Sequence, residues 1–441
     1  MATNTEIPAW SRNGRLKNPS WLMLLPYPEW LDFAIYLFSA AGLAIAFFPE
    51  SGGADGVIQT LSVLALGFLA RPIGAIVLGR WGDMKGRRRV LLFSGFLACA
   101  ATVLIGLIPT YDTIGIAAPI LLLVLRLVQG FALGGEFPGT FTYLVEAAPV
   151  GRRTSYGSMA PAGAVAAILT AAVLVLIVRG AMSAEAYAAW GWRIPFLVGG
   201  VSLFFVVATR FSLAESPKWL EVKKAGDLSD SPFRDIFRNH WRGYVSRFLF
   251  VLVVAMCFHF TFGAFFGYLD KVIKLPQTDI MTVHTVDLAI LIFLILLFGR
   301  VADRISARRI LYIGLVGIII TAYPAFLLVS QDSLASAMLG QLLLAPFVAM
   351  LMAPYPAVLS SVFPVRVRLS GESSGNLSYA VVGGSLPLIF ALALTSEGSV
   401  IGPASVLVIT AIAGLFIFLP IRGPDDPPKH DETLDMDRQK T

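Results

Sequence analysis

Charged side chains inside apolar runs are the residues of this sequence best placed to do chemistry. Such charges cost several kcal/mol in a membrane unless paired or hydrated, so each one marks a candidate site. Glu29 and Asp32 stand three residues apart, with Tyr36 one turn further on. At helical spacing they share a face, and two adjacent carboxylates suit a group that must carry a proton. Pro26 and Pro28 put Glu29 near a helix start, where the alternative is a carboxylate solvated at headgroup level. Gln129, Glu136, Thr140 and Tyr143 also fall on one helical face, with Arg126 at its edge. Glu136 is a second candidate proton carrier, and Arg126 is either its structural ion-pair partner or, with Gln129, part of a binding site. Arg71 lies eight residues before Gly79, so about 12 Å into its span at about 1.5 Å per residue. Its planar guanidinium fits a carboxylate, which makes it the leading ligand for an anionic substrate. His259 sits among Phe258, Phe260, Phe262, Phe265 and Phe266, either as a titrating ligand or as a packed, hydrogen-bonded ring.

These charges must be carried by membrane helices. The chain has 441 residues, 56% hydrophobic and 14% charged, with a mean hydropathy of +0.75. A soluble domain carries roughly 25% charged residues, so a soluble enzyme is excluded. Twelve stretches reach the about 20 apolar residues that a crossing needs. They run at roughly 22–48, 57–79, 90–108, 118–147, 155–178 and 193–213, then 246–269, 285–302, 309–329, 334–363, 372–395 and 401–421. The runs are continuous rather than alternating, which argues against a β-barrel. The polar start, residues 1–21 with Arg12, Arg15 and Lys17, precedes an uncleaved first span. The polar stretch 214–245 divides the chain into six spans plus six, bundles at 22–213 and 246–421, and Pro232 followed by FRDIF predicts a short amphipathic helix on the membrane surface. Residues 422–441 read as a disordered tail. Of the 34 Lys and Arg, Arg179, Arg193, Lys271 and Lys274 face one side and Arg71 and Arg126 lie in spans; the other 28 share the side of both termini. That side is therefore cytoplasmic, and the formal charge of +6 is an orientation signal rather than a nucleic-acid surface.

A repeated motif organises the halves. GRWGDMKGRRR, from Gly79 to Arg89, returns as GRVADRISARR, from Gly299 to Arg309, both after the second span of a half. Gly79 lets helices approach closely. Asp83 is an anion suited to capping a helix start or holding an arginine. Gly86 permits a tight turn, and Arg87, Arg88 and Arg89 stay in the cytosol. In the second copy Asp303 and Arg304 recur, but Ser306 replaces the turn glycine and Ala307 the next arginine, so a weaker second gate is expected.

GRWGDMKGRRR resembles the loop motif of the major facilitator superfamily. EWLDFAIY, RPIGAIVLGRWGD, LRLVQGFALGGE, WGWRIPF and FPVRVRLSG, in that order, resemble its metabolite:proton symporter branch, which includes permeases for α-ketoglutarate, citrate, shikimate and proline/betaine. The resemblance implies an all-α membrane fold of two six-helix bundles, a midplane site, and a cytoplasmic gate held closed by Asp83 and Arg87. It also implies that Arg193, in WGWRIPF, sits at a position important in dicarboxylate members; the alternative is an outer-side arginine snorkelling beside Trp190 and Trp192. Glu146, before APVGRR, is expected to pair with Arg152 or Arg153, and Asp287 to be solvated or to act with His284.

No P-loop, paired His/Cys spacing or serine-hydrolase elbow occurs in the sequence, so no cofactor, metal or enzymatic role is expected. The reading is a proton-coupled importer of a small organic anion in a bacterial inner membrane, working as a monomer among lipids. Arg71 and Arg193 bind the substrate with Tyr36, Arg126, Gln129 and His259. Asp32, Glu136 and Glu29 carry protons, and Gly79, Asp83, Gly86, Arg87, Arg88, Asp303 and Arg304 form the gate. One alternative is a zwitterionic osmolyte such as proline or betaine, held by cation–π contact; the absence of the osmosensing member's extended coiled-coil tail disfavours it. Another is a non-transporting membrane sensor.

Overall fold

The computed structural model describes residues 19–418 except 52, 147, 150, 213–214, 332, 379 and 383–400. Arg12, Arg15, Lys17, the tail 422–441, and the expected bend at Gly383, Gly384 and Pro387 lie outside the described residues. All regular structure among the described residues is helical. Helices α1 (Tyr27–Phe38) and α2 (Ala40–Phe47) are joined at Ser39 with a 65° bend. They are followed by α3 (Gly53–Lys85), α4 (Arg87–Leu107), α5 (Ala117–Glu146), α6 (Arg153–Gly157), α7 (Met159–Gly180) and α8 (Arg193–Thr209). The linker forms α9 (Pro217–Lys224) and α10 (Pro232–Asn239), each opened by a proline where its missing N–H costs nothing. The second half contains α11 (Trp241–His259), α12 (Gln277–Arg304), α13 (Ala307–Val329), α14 (Leu334–Met352), α15 (Tyr355–Ser360) and α16 (Ile401–Phe418). Among the described residues, nine helices are long and apolar enough to cross a membrane, or ten with the bent α1–α2 pair as one span. Of the expected spans, the eleventh falls largely outside the described residues and the last is the shorter α16.

Glycines bring the two arginine-bearing helices of the first half together. A Cβ on Gly130 of α5 would stand 1.9 Å from the Gly67 carbonyl oxygen of α3, and one on Gly74 would stand 1.9 Å from that of Phe131. Both obstacles are backbone and cannot turn aside. This contact is why Arg71 on α3 and Arg126 on α5 reach a common space. Gly130→Ala is expected to push the helices apart and destabilise the fold by about 1–3 kcal/mol, as overpacking does. Thermal unfolding in detergent checks this.

Beyond His259, the seventh span continues through two π-helical turns, Phe260–Ala264 and Leu269–Ile273, a geometry frequent at functional sites. The linker helix α10 is amphipathic as expected, yet Ile236 turns onto the protein, against Phe363 and Val367, while Phe237 stays exposed. Three arginines counted on the side of the termini are buried instead: Arg87, Arg210 and Arg247 are at most 2% exposed. Each faces a carboxylate, so these three report internal pairing and not orientation.

Candidate functional site

Helices α1, α3, α4 and α5 bring the charges of the first half into one buried cluster. Glu29 and Asp32 do not act as a carboxylate couple; each has its own arginine. Arg71 donates to Glu29 at 2.8 Å, and Arg126 to Asp32 at 2.8 Å. Asp32 Oδ1 also accepts from Thr102 at 2.8 Å and from Gln129 at 2.7 Å, so one carboxylate ties α1 to α4 and α5. Glu29 and Asp32 are 1% and 2% exposed, so Glu29 is not solvated. The Arg126 guanidinium lies 3.7 Å from the Tyr36 ring centroid, and the Tyr36 hydroxyl donates to the Thr60 carbonyl at 2.9 Å. Arg71 stacks 4.3 Å from the Phe68 centroid. Between the two pairs runs a narrow cleft of about 20 Å³, room for about one water, lined by Asp32, Phe33, Phe68, Arg71, Arg126 and Gln129 among others. Trp30 leans edge-on to Phe33 and, across to the second half, to Phe258 at 6.2 Å, with His259 at 6.3 Å. His259 Nδ1 meets the Ala255 carbonyl at 2.9 Å.

Glu136 is fully buried but stands away from Arg126. Its partner is Arg210, which also donates to the carbonyls of Leu25 and Leu91. The buried cluster thus holds three carboxylates and three guanidiniums and is balanced in charge. Arg193 does not join it: half-buried, it donates to the carbonyl of Ile108 at 3.0 Å and packs on Trp192, 4.3 Å from its centroid. In the second half, Asp287 is 1% exposed and accepts from Gln341 at 3.1 Å; it is not solvated, and its donor is Gln341 rather than His284. Arg247 pairs with Glu372 at 3.5 Å.

On the linker side both copies of the repeated motif lock the halves together. Asp83 accepts backbone N–H bonds from Leu369 at 3.1 Å and Ser370 at 2.7 Å, at the start of the short helix Arg368–Gly371, and holds Arg87 at 3.2 Å. Gly79 packs against that same strip of backbone, where a Cβ would stand 3.2 Å from the Leu369 oxygen. Arg87 is buried rather than solvated: it continues to Glu146 at 3.3 Å and to the Val365 carbonyl at 2.9 Å. Glu146 in turn takes Arg368 at 2.6 Å, so its partners are Arg87 and Arg368 rather than Arg152 or Arg153. Gly86 has φ +109°, a turn reserved for glycine. In the second copy, Asp303 accepts the N–H groups of Thr154 at 2.8 Å and Ser155 at 2.9 Å, at the start of α6, together with the Ser155 hydroxyl. Ser306 adopts an extended backbone at φ 168°, so loss of the turn glycine costs this copy nothing. What it lacks is an arginine behind its aspartate, because Ala307 stands where Arg87 does and Arg304 is exposed.

Several residues in these contacts carry little local signal. Glu215 accepts from the backbone N–H groups of Arg87 and Arg88 at the start of α4, and the Trp219 indole donates to the Asp83 carbonyl at 2.8 Å. Arg88 itself reaches the Phe211 carbonyl at 2.7 Å. The only hint is ESPKW after the sixth span, an acid and an aromatic in an otherwise solvent-like stretch. Asn376, which donates to the Gly134 carbonyl at 3.0 Å across the halves, is an ordinary polar residue at a span's edge.

The Major Facilitator Superfamily sequence model matches residues 31–371. A putative proline/betaine transporter of Staphylococcus aureus (strain COL) is 33% identical over 397 residues, covering 88% of this chain and 84% of that protein. The proline/betaine transporter of Escherichia coli (strain K12) is 29% identical over 396 residues, covering 88% and 79%. Among solved structures, the proton:xylose symporter XylE bound to 6-bromo-6-deoxy-D-glucose superposes with a TM-score of 0.72 at 15% identity, covering 92% of this chain and 96% of that one. The all-helical membrane architecture, the doubled interlocking motif and these likenesses agree: the chain belongs to the Major Facilitator Superfamily and is a secondary transporter, not an enzyme.

Proposed function

We propose that this protein imports a small zwitterion of the proline or betaine kind together with protons, across a bacterial inner membrane with both termini cytoplasmic. The observation that carries this reading is the charge balance of the buried cluster. A site for an organic anion needs an unmatched cation, whereas Arg71 and Arg126 each already face a carboxylate. A zwitterion fits without net charge: its carboxylate competes for a guanidinium, and its ammonium meets Asp32 or Glu29 and the rings of Phe33, Phe68 and Trp30. Such rings hold quaternary ammonium groups by cation–π attraction. The names of the relatives support this substrate class over the organic acid favoured by sequence motifs alone.

In the proposed cycle Asp32 or Glu29 takes up a proton, which loosens its own arginine and lets the substrate carboxylate reach Arg126 or Arg71, while the other carboxylate stays ionised for the ammonium; Glu136, paired with Arg210, is a further proton carrier. The bundles at 22–213 and 246–421 then rock about the site, and the gate of Asp83, Arg87, Glu146 and Arg368 opens on the cytoplasmic side. Arg193 has a positioning role at the outer helix ends. Proteoliposomes with an alkaline interior are expected to accumulate glycine betaine or proline and to ignore succinate and α-ketoglutarate. Gradient-driven dicarboxylate uptake without betaine or proline uptake would overturn the reading.

A further inference from the structure

The second half contains one intramembrane carboxylate with no cation beside it among the described residues. Asp287, on α12, is 1% exposed and lies on the helix's buried stripe between Val283 and Leu291. One of its oxygens takes the Gln341 amide at 3.1 Å, and the other has no hydrogen-bond partner. Glu29, Asp32, Glu136 and Glu372 each have an arginine within 3.5 Å.

The surroundings of Asp287 can be followed element by element. Helix α14 supplies Gln341 and has no titratable residue. The only charge on α7 is Arg179, at its far end and turned onto the Tyr187 ring. Arg153 and Tyr156 of α6 sit beside Asp303, sixteen residues along α12 and so about 24 Å away. On α13, Arg308, Arg309 and Tyr312 lie at the linker end, and Tyr323 bonds to Ser405. The π-turn Leu269–Ile273 contains Asp270 and Lys271, whose side chains lie outside the described residues. On α12 itself, His284, one turn before, packs on Phe262 at 6.1 Å. Phe262 touches Phe258 at 4.9 Å, and Phe258 meets Trp30, the neighbour of Glu29. A chain of rings therefore joins the turn before Asp287 to the first-half cluster.

An ionised carboxylate in such a place pays the desolvation cost with a single amide donor in return, which is the setting of a group that exchanges a proton as its surroundings change. We propose that Asp287, positioned by Gln341, is a second proton-carrying site of the transport cycle, one that binds its proton in the second half and releases it when the halves separate. It rests on the proton-coupled reading above. Asp32 keeps its arginine-paired role, and the two sites make the cycle depend on protons in both halves.

The test is uptake of glycine betaine and proline in proteoliposomes, with and without an imposed pH gradient, alongside exchange across equal pH. Asp287→Asn is expected to keep exchange within about twofold of wild type and to lose tenfold or more of the gradient-driven accumulation; Asp287→Glu should restore it. A purely structural acid would leave the ratio of driven uptake to exchange unchanged in Asp287→Asn, and that result overturns the proposal. Wild type that ignores the gradient removes both this inference and the proton-coupled reading, whereas wild type and Asp287→Asn responding alike removes only this one. Should Asp287→Asn fail to reconstitute, Gln341→Leu answers the same question. Removing an amide donor disfavours the charged carboxylate, so the pH profile of driven uptake should move toward alkaline values with exchange unaltered; an unmoved profile overturns the proposal.

Discussion

Asp32→Ala is expected to abolish gradient-driven accumulation and to cost about 3–5 kcal/mol of stability, the penalty for stripping one partner from a buried ion pair. The carboxylate is the shared acceptor for Arg126, Thr102 and Gln129. Without it the Arg126 guanidinium, 3% exposed, keeps only the face of Tyr36. Asp32→Asn tests the same site with less structural damage, because it preserves volume but presents an amide where three donors converge. Its melting temperature should fall less than that of Asp32→Ala, while accumulation should fall as far. The double variant Asp32→Leu/Arg126→Met separates the roles. Replacing a buried ion pair by apolar groups of similar size is often neutral or stabilising, so stability should return and transport should not. Thermal unfolding in detergent and betaine uptake in proteoliposomes read the two quantities. If the double variant transports, the pair is a structural rivet and the proposed site lies elsewhere.

How far this site can be read from one dimension depends on what each signal is. Asp32, Arg71, Arg126 and Glu136 stand out because charge is rare in an apolar run, and that rarity is local. Their pairings are not local. Arg71 meets Glu29 across 42 residues, Arg126 meets Asp32 across 94, and Arg210 meets Glu136 across 74. Matching Arg126 with Glu136 fails on elementary geometry: ten residues along one helix separate them by about 15 Å. Arg210 is hidden by its position at the end of the sixth span, where a basic residue ordinarily marks the loop. The same bias towards chain neighbours points Glu146 at Arg152 or Arg153, whereas its partners come from the other motif arm and from the second half. The helical architecture is legible because about 20 apolar residues leave few other choices. The balance of charge, on which the proposed choice of a zwitterion over an anion rests, becomes visible only when Arg71, Arg126 and Arg210 each have a carboxylate.

The repeated motif shows a related limit, and it leads to the second large effect. Asp83 and Asp303 are identifiable by type and spacing, but what they hold is backbone: the N–H groups of Leu369 and Ser370, and those of Thr154 and Ser155. Any residue can supply an N–H, so no sequence pattern announces the partner. The chemistry is that of an anion at a helix start, with the fixed dipole adding to the hydrogen bonds. Asp83→Asn removes the charge and one of the two acceptor oxygens. Hydrogen bonds to charged groups contribute about 1.5–3 kcal/mol, so losing this one should shift the closed–open equilibrium on the linker side by about 10–100-fold. Asp83→Asn also unsettles Arg87, Glu146 and Arg368, which are linked to it in series. Asp303 is half-buried with no such chain behind it, so Asp303→Asn should shift the equilibrium less. A cysteine at Ser158, fully buried where α12 crosses the start of α7 beside Gly299, reports the opening through its rate of maleimide labelling. Labelling is expected to rise most in Asp83→Asn, less in Asp303→Asn, and accumulation to fall in the same order with membrane insertion unchanged. Equal labelling in both would mean that the two anchors carry the closed state alike and that the arginine relay contributes nothing to it. Unchanged labelling in Asp83→Asn would remove the gate assignment, since a residue that secures the closed state cannot lose its charge without releasing it.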